Sequence, residues 1–501
     1  MNDTPSGQVT WSLALDARRD GETLQTWLYR ALRQDILGGR LPRNHLLPST
    51  RYLAAQYGVA RGTVQAAYNQ LLSEGYLHAS QGSGTRVSRT LPDDHLARAS
   101  NLRAATVQPD ALPPVLTTRW ARALTEHPAA FPLESRFSSQ FFVPHSCDVA
   151  RFPIDIWRRL HARHLGAIEP SVLSKRSAQG APALRQAIAE HLGIARGVAV
   201  SAQNIVLVSS VQQALDICLR LIVEPGDPVW MEDPGYPGAR HIMQSAQADI
   251  VDVPVDESGM VVDEGIKKAP MARLAYVTPC RQSPMGVALA PDRRLALLRW
   301  AREHGAYIFE DDYDSEYRFI AKPIPAIRSL PQADSHVILA GTFSKLMFPA
   351  VGLAYLALPE QLVEPFTKAL SMTARHANGL AQAVLTDFMI EGHFDRHIRK
   401  MRKLYAGRAK TFQTLSRQLW ADFIEFPPIQ AGLDVAGQLK GFTEPNALAL
   451  MRDCGVGAFP LSRYTRSCPK PPGLVMGFAA HTEQQIEQRM IAVSQALIRR
   501  N

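Results

Sequence analysis

Apolar residues recur at helical spacing at Leu24, Leu28, Leu32 and Ile36, and the Gly38-Gly39 pair that follows predicts where this helix ends. The stretch PSTRYLAAQYGVARGTVQAAYNQLLSEGY predicts two more helices. Ser49 caps the first, whose Leu53 and Ala54 face inward, and Gly58 supplies a tight turn. Arg61 opens the second, which carries Val64, Ala67, Tyr68 and Leu71 on its inner face. Two short strand-like runs, 76–80 and 85–87, then flank Gly82-Ser83-Gly84, a hairpin tip small enough to approach a phosphate backbone. Past this point the periodicity fades into a Pro/Ala/Arg-rich stretch. It returns as apolar runs at 205–208, 228–231, 274–277, 306–309 and 337–340 that alternate with helical patterns, the signature of a parallel sheet covered by helices.

These patterns divide the chain into a winged helix-turn-helix over 22–90, a linker over 91–132 and an α/β domain over 133–497. A length of 501 residues fits this division, since one domain usually takes about 100–200. With 46% hydrophobic and 20% charged residues the composition is that of a globular protein. No apolar run reaches the roughly 18 residues of a membrane span, and the N-terminus lacks a secretory pattern, so the expected location is cytoplasmic. Cys147, Cys218, Cys280, Cys454 and Cys468 are scattered singly, without the spacings of a zinc site, and predict reduced structural thiols and no metal.

The net charge of +9 matters chiefly for where it lies. Between residues 24 and 88 seven arginines stand against Asp35 and Glu74, a local net of +5. A basic helix-turn-helix is built to read DNA. Arg61, Thr63 and Gln65 open the third helix, where arginine reads guanine and glutamine reads adenine in the major groove. LGGRLPRNHLLPSTRYLAAQYGVARGTV and EGYLHASQGSGTRV resemble the winged helix of GntR-type regulators. The resemblance implies DNA contacts from Arg51, Arg61 and the wing glycine Gly84, and the DNA-facing set becomes Ser49, Thr50, Arg51, Arg61, Thr63, Gln65 and Gly84. Ala60 stands where serine is common in that family.

The second half carries the parts of a pyridoxal-phosphate (PLP) site. Such a site needs a Schiff-base lysine, a carboxylate at the ring nitrogen, a partner for the ring hydroxyl, a stacking ring and phosphate donors. GTFSK puts Lys345 just beyond an apolar strand, where loops meet a crevice at the strands' carboxyl ends. In YIFEDDYDSEY side chains alternate, so Asp311 and Tyr313 point the same way. Tyr236 follows a turn in WMEDPGYPG, and SSVQQAL offers backbone N–H groups at a strand-to-helix junction. In order along the chain, EDPGYPGAR, YVTPxxQxPxG, EDDYDSEYRF, GTFSK and EGHFDRHIRKMRKLYAGR are similar to the aminotransferase-like half of MocR-type regulators, the GntR subfamily fused to a type I PLP fold. The resemblance implies a mostly parallel sheet domain with a smaller α+β subdomain. It implies that Lys345, Asp311, Tyr313, Tyr236 and Gln282 hold PLP, and that Thr342, Ser344 and the loop of Ser209, Val211 and Gln212 take its phosphate.

The departures from this pattern are specific. Gly352 stands seven residues after the lysine, where the family has a phosphate-binding arginine, Ser210 replaces a glycine, and Lys175 is a candidate substitute cation. One lost charge-assisted hydrogen bond weakens PLP binding by about 10- to 100-fold. Gly238 and Val475 stand where carboxylate-binding members carry arginines, leaving Arg281, Arg463 and Arg466 as local candidates. The reading is a homodimeric regulator of DNA with two half-sites, whose effector is PLP or its aldimine with an amine or amino acid. The alternatives are an active aminotransferase carrying a DNA reader, and a regulator whose pocket no longer uses PLP. The seven Lys or Arg of 396–410 read as a solvated face or as a second DNA-contacting surface.

Overall fold

The computed structural model describes residues 17–80, 84–93, 118, 141–166, 177–320 and 324–500. Most of the expected linker, the wing tip Gly82-Ser83 and Lys175 lie outside the described residues. The chain splits into two compact units, one before residue 118 and one from it onward.

In the first unit helices α1 (Leu24–Leu37), α2 (Thr50–Tyr57) and α3 (Arg61–Ser73) precede an antiparallel hairpin of β1 (Leu77–Ser80) and β2 (Gly84–Val87). Thr23 and Ser49 cap α1 and α2 through their hydroxyls, and Gly58 ends α2 at φ +63°, a left-handed turn that glycine takes without a Cβ clash. Leu28, Leu32, Leu53, Val64, Ala67 and Leu71 close a small core, joined by Leu77 and Val87 from the hairpin.

In the second unit eight strands form one sheet. They are β3 (Ile205–Val208), β4 (Pro228–Asp233), β5 (Asp249–Asp256), β6 (Gly259–Met260), β7 (Leu274–Val277), β8 (Tyr307–Asp312), β9 (Val337–Thr342) and β10 (Ala354–Ala357), in the order β3-β10-β9-β8-β7-β4-β5-β6. The pairs from β9 through β5 are parallel, while β10 runs antiparallel between β9 and β3, and β6 antiparallel to β5. Strands buried on both faces read as unbroken apolar runs, which is why β3, β7 and β9 were legible. The antiparallel β10 has the same texture and no distinguishing signal. A smaller antiparallel sheet of β11 (Ile424–Glu425), β12 (Asp434–Leu439), β13 (Phe459–Pro460) and β14 (Gly473–Gly477), ordered β11-β12-β14-β13, packs with the helices His393–Leu419 and Glu483–Arg500. No helix among the described residues is long and apolar enough to cross a membrane.

Candidate functional site

The reading face of the first unit follows from which sides of α2 and α3 are buried. With Leu53, Ala54, Val64, Ala67 and Tyr68 turned inward, Arg51, Arg61 and Gln65 are exposed and Thr50 and Thr63 half-buried. Ser49 spends its hydroxyl on the N–H of Tyr52, and Gln65 reaches Asn69 at 3.0 Å. Ala60 offers no side-chain cap, so α3 begins with free backbone N–H groups on this face. Gly84 opens β2 and is exposed.

The seven arginines are not equivalent. Arg30 pairs with Glu22 at 3.0 Å, Arg33 with Asp93 at 3.6 Å, and Arg40 with Asp35. Arg43 and Arg86 donate to the carbonyls of Arg89 and Asn44. Arg51 and Arg61 have no acidic partner among the described residues. A count over 24–88 misses Glu22 and Asp93, which lie outside that window; three of the seven arginines are paired with acids, and those of α2 and α3 are not among them.

In the second unit, a cavity of about 240 Å³ opens at the carboxyl ends of the central strands. His145, Ser210, Val211, Gln212, Tyr236, Tyr276, Thr278, Ser283, Asp311, Tyr313, Thr342, Ser344, Lys345 and Pro349 line it. Eight of the expected cofactor residues are thus brought together from four separate chain segments. Lys345 sits three residues past β9, and its Nζ donates to the carbonyl of His145 at 2.9 Å. Burial lowers its pKa, against the attraction of Cys147, Asp434, Asp314 and Asp311, and so favours the neutral amine a nucleophile requires. Asp311 is the penultimate residue of β8. Burial pushes its carboxyl up to about 7, Asp312 adds to this, and the Tyr276 hydroxyl, donating to Oδ2 at 2.5 Å, works against it. Oδ1 of Asp311 is buried with no hydrogen-bond partner among the described residues. Alternation sends Asp312 the other way, to Arg196 at 2.7 Å.

Tyr236 has its hydroxyl tied to Gln212 at 2.7 Å, and a Cβ at Gly238 would come within 2.6 Å of its ring. Ser210 caps the helix Val211–Ile222, whose first two residues line the cavity, and Thr342 accepts from the N–H of Ser344 at 3.1 Å. Two expected residues are elsewhere. Ser209 is exposed and its N–H goes to Gln213, while Gln282 lies behind the wall, bonding Glu232 and the carbonyls of Pro234 and Ser283. Its neighbour Ser283 faces the cavity instead, with a buried, unpartnered hydroxyl. In a loop that fits no period, no alternation rule distinguishes one residue from the next.

The expected carboxylate arginines are also corrected in part. Arg281 is buried and its guanidinium is fully committed: 3.1 Å to Asp314, 2.6 Å to Asp434 and 2.9 Å to the hydroxyl of Tyr313. Its path crosses Gly432, where φ is +86° and a Cβ would lie 2.1 Å from Nε. Asp434 also takes the Nδ1 of His145 at 2.7 Å and its backbone N–H at 2.9 Å. Although burial opposes it, His145 and Arg281 hold the Asp434 carboxyl well below the usual range. Arg463 lies over the ring of Phe459, and Arg466 is exposed. Neither lines the cavity. Gly352 is exposed at φ +55°, and among the described lining residues Lys345 and His145 are the basic groups. Tyr276, His145 and Asp434 were missed: the first looks like one more apolar strand residue, and the other two come from segments far apart in the chain.

This donor set fits PLP on the criteria of its own residues. The orphaned Asp311 oxygen suits a protonated ring nitrogen, the Lys345 amine, whose pKa burial lowers, suits an aldehyde, and the start of the helix Val211–Ile222 suits a phosphate.

Comparisons with known proteins bear on both units. The family described as aminotransferase class I and II matches residues 168–488, and that of bacterial regulatory proteins of the gntR family matches residues 24–87. The probable rhizopine catabolism regulatory protein MocR of Rhizobium meliloti is 37% identical over 93% of this chain and 92% of its own. The pyridoxine biosynthesis transcriptional regulator PdxR of Corynebacterium glutamicum is 30% identical over 95% and 96%. Among solved structures, the kynurenine aminotransferase of Pyrococcus horikoshii superposes with a TM-score of 0.66 at 24% identity, covering 72% of this chain and 92% of that one. Such a likeness supports the fold, and the full-length matches support more. The chain belongs to the MocR-type transcription regulators, in which a gntR-family DNA-binding domain is joined to an aminotransferase-like domain of type I fold.

Proposed function

We propose that the cavity is a sensor site for PLP, alone or joined to an amine, and that its occupancy sets how the chain binds DNA. The observation that carries this reading is the pairing, in one cavity, of a buried Lys345 amine with an Asp311 oxygen that has no partner. Lys345 would face the aldehyde, Asp311 would hold the ring-nitrogen proton, Tyr236 would stack on the ring, and Thr342, Ser344 and the N–H groups of Val211 and Gln212 would take the phosphate. PLP supplies the aldehyde and an electron-withdrawing ring. The grip is weak by family standards because Gly352 provides no guanidinium. With Arg281 committed, turnover of amino acids loses its carboxylate anchor, which disfavours the aminotransferase reading and leaves sensing intact.

A route for the signal follows from Lys345 itself. Its Nζ holds the carbonyl of His145, which adopts φ +62° in the segment that leads from the linker into the second unit. Occupancy of the cavity would draw on the same amine, so the hold of Lys345 on this segment would change with it. We further propose a homodimer reading two half-sites, since two identical readers match a repeated or palindromic operator.

Titrating PLP into the protein while recording the visible spectrum, then repeating with DNA, tests the site. Visible absorption should appear and DNA affinity should change, and in Lys345→Ala both responses to PLP should be lost. A wild-type protein that remains colourless at saturating PLP overturns the reading. Sustained keto-acid product above the Lys345→Ala background would establish the enzyme instead.

A further inference from the structure

The helix His393–Leu419 carries eight Lys or Arg and one acid, Asp395. Folding sorts them. Phe394, Ile398, Met401, Tyr405 and Phe412 bury one face in the core of the unit, and two of the basic residues turn that way: Arg408 pairs with Asp148 at 2.7 Å, and Arg402 donates to the carbonyl of Glu316. At 100° per residue the other six, Arg396, Arg399, Lys400, Lys403, Lys410 and Arg417, fall within about 100° of arc, opposite the buried face. All six are exposed, and none has an ion-pair partner among the described residues. Arg396 caps the carbonyl of Glu391. Two acids border the row, Asp395 in the first turn and Glu483, whose carboxylate lies over Gly407.

We propose that this row is a second DNA-contacting surface, which binds the phosphate backbone of a duplex without reading its sequence. From Arg396 to Arg417 the row extends about 32 Å at ~1.5 Å per residue. One helical turn of a duplex spans about 34 Å, and its charges lie about 1.7 Å apart along the axis. A straight helix anchored along its whole inner face presents its cations at fixed spacing, so little side-chain-bearing backbone must be ordered on binding. A helix face that merely needed solvation would mix both signs along its i, i+4 pairs. This one does not. Unlike the reading face, the row consists of cations for most of its length, with one glutamine, Gln418, at its end.

The test uses the full chain, a mixed-sequence duplex several helical turns long, and the salt dependence of its affinity. Each phosphate contact contributes about 0.9 to the slope of log affinity against log salt. Arg399→Gln, Lys403→Gln and Lys410→Gln combined should lower that slope by about 2 to 3 and weaken binding at least tenfold at physiological salt. Arginine at 403 and 410 should keep the wild-type slope. Should the triple variant fail to fold, judged by its melting transition, Arg399→Gln and Lys403→Gln singly should each lower the slope by about 1. Folded variants with an unchanged slope overturn the proposal, including the case in which the row serves an anionic membrane or an acidic protein instead.

Discussion

Arg51 and Arg61 stand in solvent with no carboxylate beside them, whereas Arg281 in the cavity wall is gripped by Asp314, Asp434 and Tyr313. Both kinds of arginine come from loops or helix starts, and in sequence they look alike. The first unit keeps its functional charges unpaired and pays little for it, because water solvates them until phosphates replace it. The cavity wall of the second has removed its charges from water, and there an unpaired charge is expensive, so the arginine is matched to acids. A cation that must capture a diffusing ligand has to remain free. By that criterion the reader is poised for its ligand throughout, and the cavity only at Lys345 and Asp311.

Breaking the buried network should have the largest effect. Asp434→Asn leaves Arg281 and His145 short of their shared anion and should destabilise the second unit by about 3–5 kcal/mol, read from denaturant unfolding, while the first unit's transition stays in place. A midpoint that does not move would mean the network is not holding charge.

Acid–base behaviour sharpens the same contrast within the cavity. Asp434 has a lowered pKa, so its stabilisation is present above the ordinary aspartate range and is lost as pH falls through it. Asp311, raised to about 7, has the opposite slope: in the PLP-free protein stability is full below about pH 4 and is lost as pH rises to about 7. Asp311→Asn should flatten that slope and add on the order of 3 kcal/mol above neutral pH, measured as unfolding free energy against pH. It should abolish PLP binding in the same samples.

On the reading face the losses should be smaller and confined to DNA. Arg61→Ala should weaken operator binding by about 1–3 kcal/mol and lower the salt slope by about 1, with the PLP spectrum unchanged. Ser49→Ala removes the cap of α2 and should lower the stability of the first unit by about 1 kcal/mol in a thermal melt. An effect of either on the second unit's unfolding would show that the two units do not behave separately.

The three-helix reader was almost wholly legible. Its helices, cap, turn and inner faces follow from periods of 3.6 and from Ser49 and Gly58, which are local signals. Lys345, Asp311 and Tyr313 were legible for a similar reason, since each lies at or just beyond the end of an apolar strand, and in this topology such ends meet at the crevice. Tyr276 within β7, Ser283 one place beyond Gln282, and the chain of His145, Asp434 and Arg281 were not. Nothing local marks them. Their surroundings come from elsewhere in the chain, 35 positions away between Tyr276 and Asp311 and 289 between Asp434 and His145.

By itself the sequence determined the kind of molecule: a basic winged helix-turn-helix joined to a PLP-type α/β domain with its lysine, aspartate and two tyrosines in order. Only the tertiary structure decided which charges remain available. Arg33 and Arg40 are taken by acids, Arg281 is locked in the cavity wall, and six of the eight cations on His393–Leu419 are left facing solvent. Periodicity and motif are properties of neighbours along the chain, whereas the pairing of a charge depends on what folding brings within a few ångströms of it.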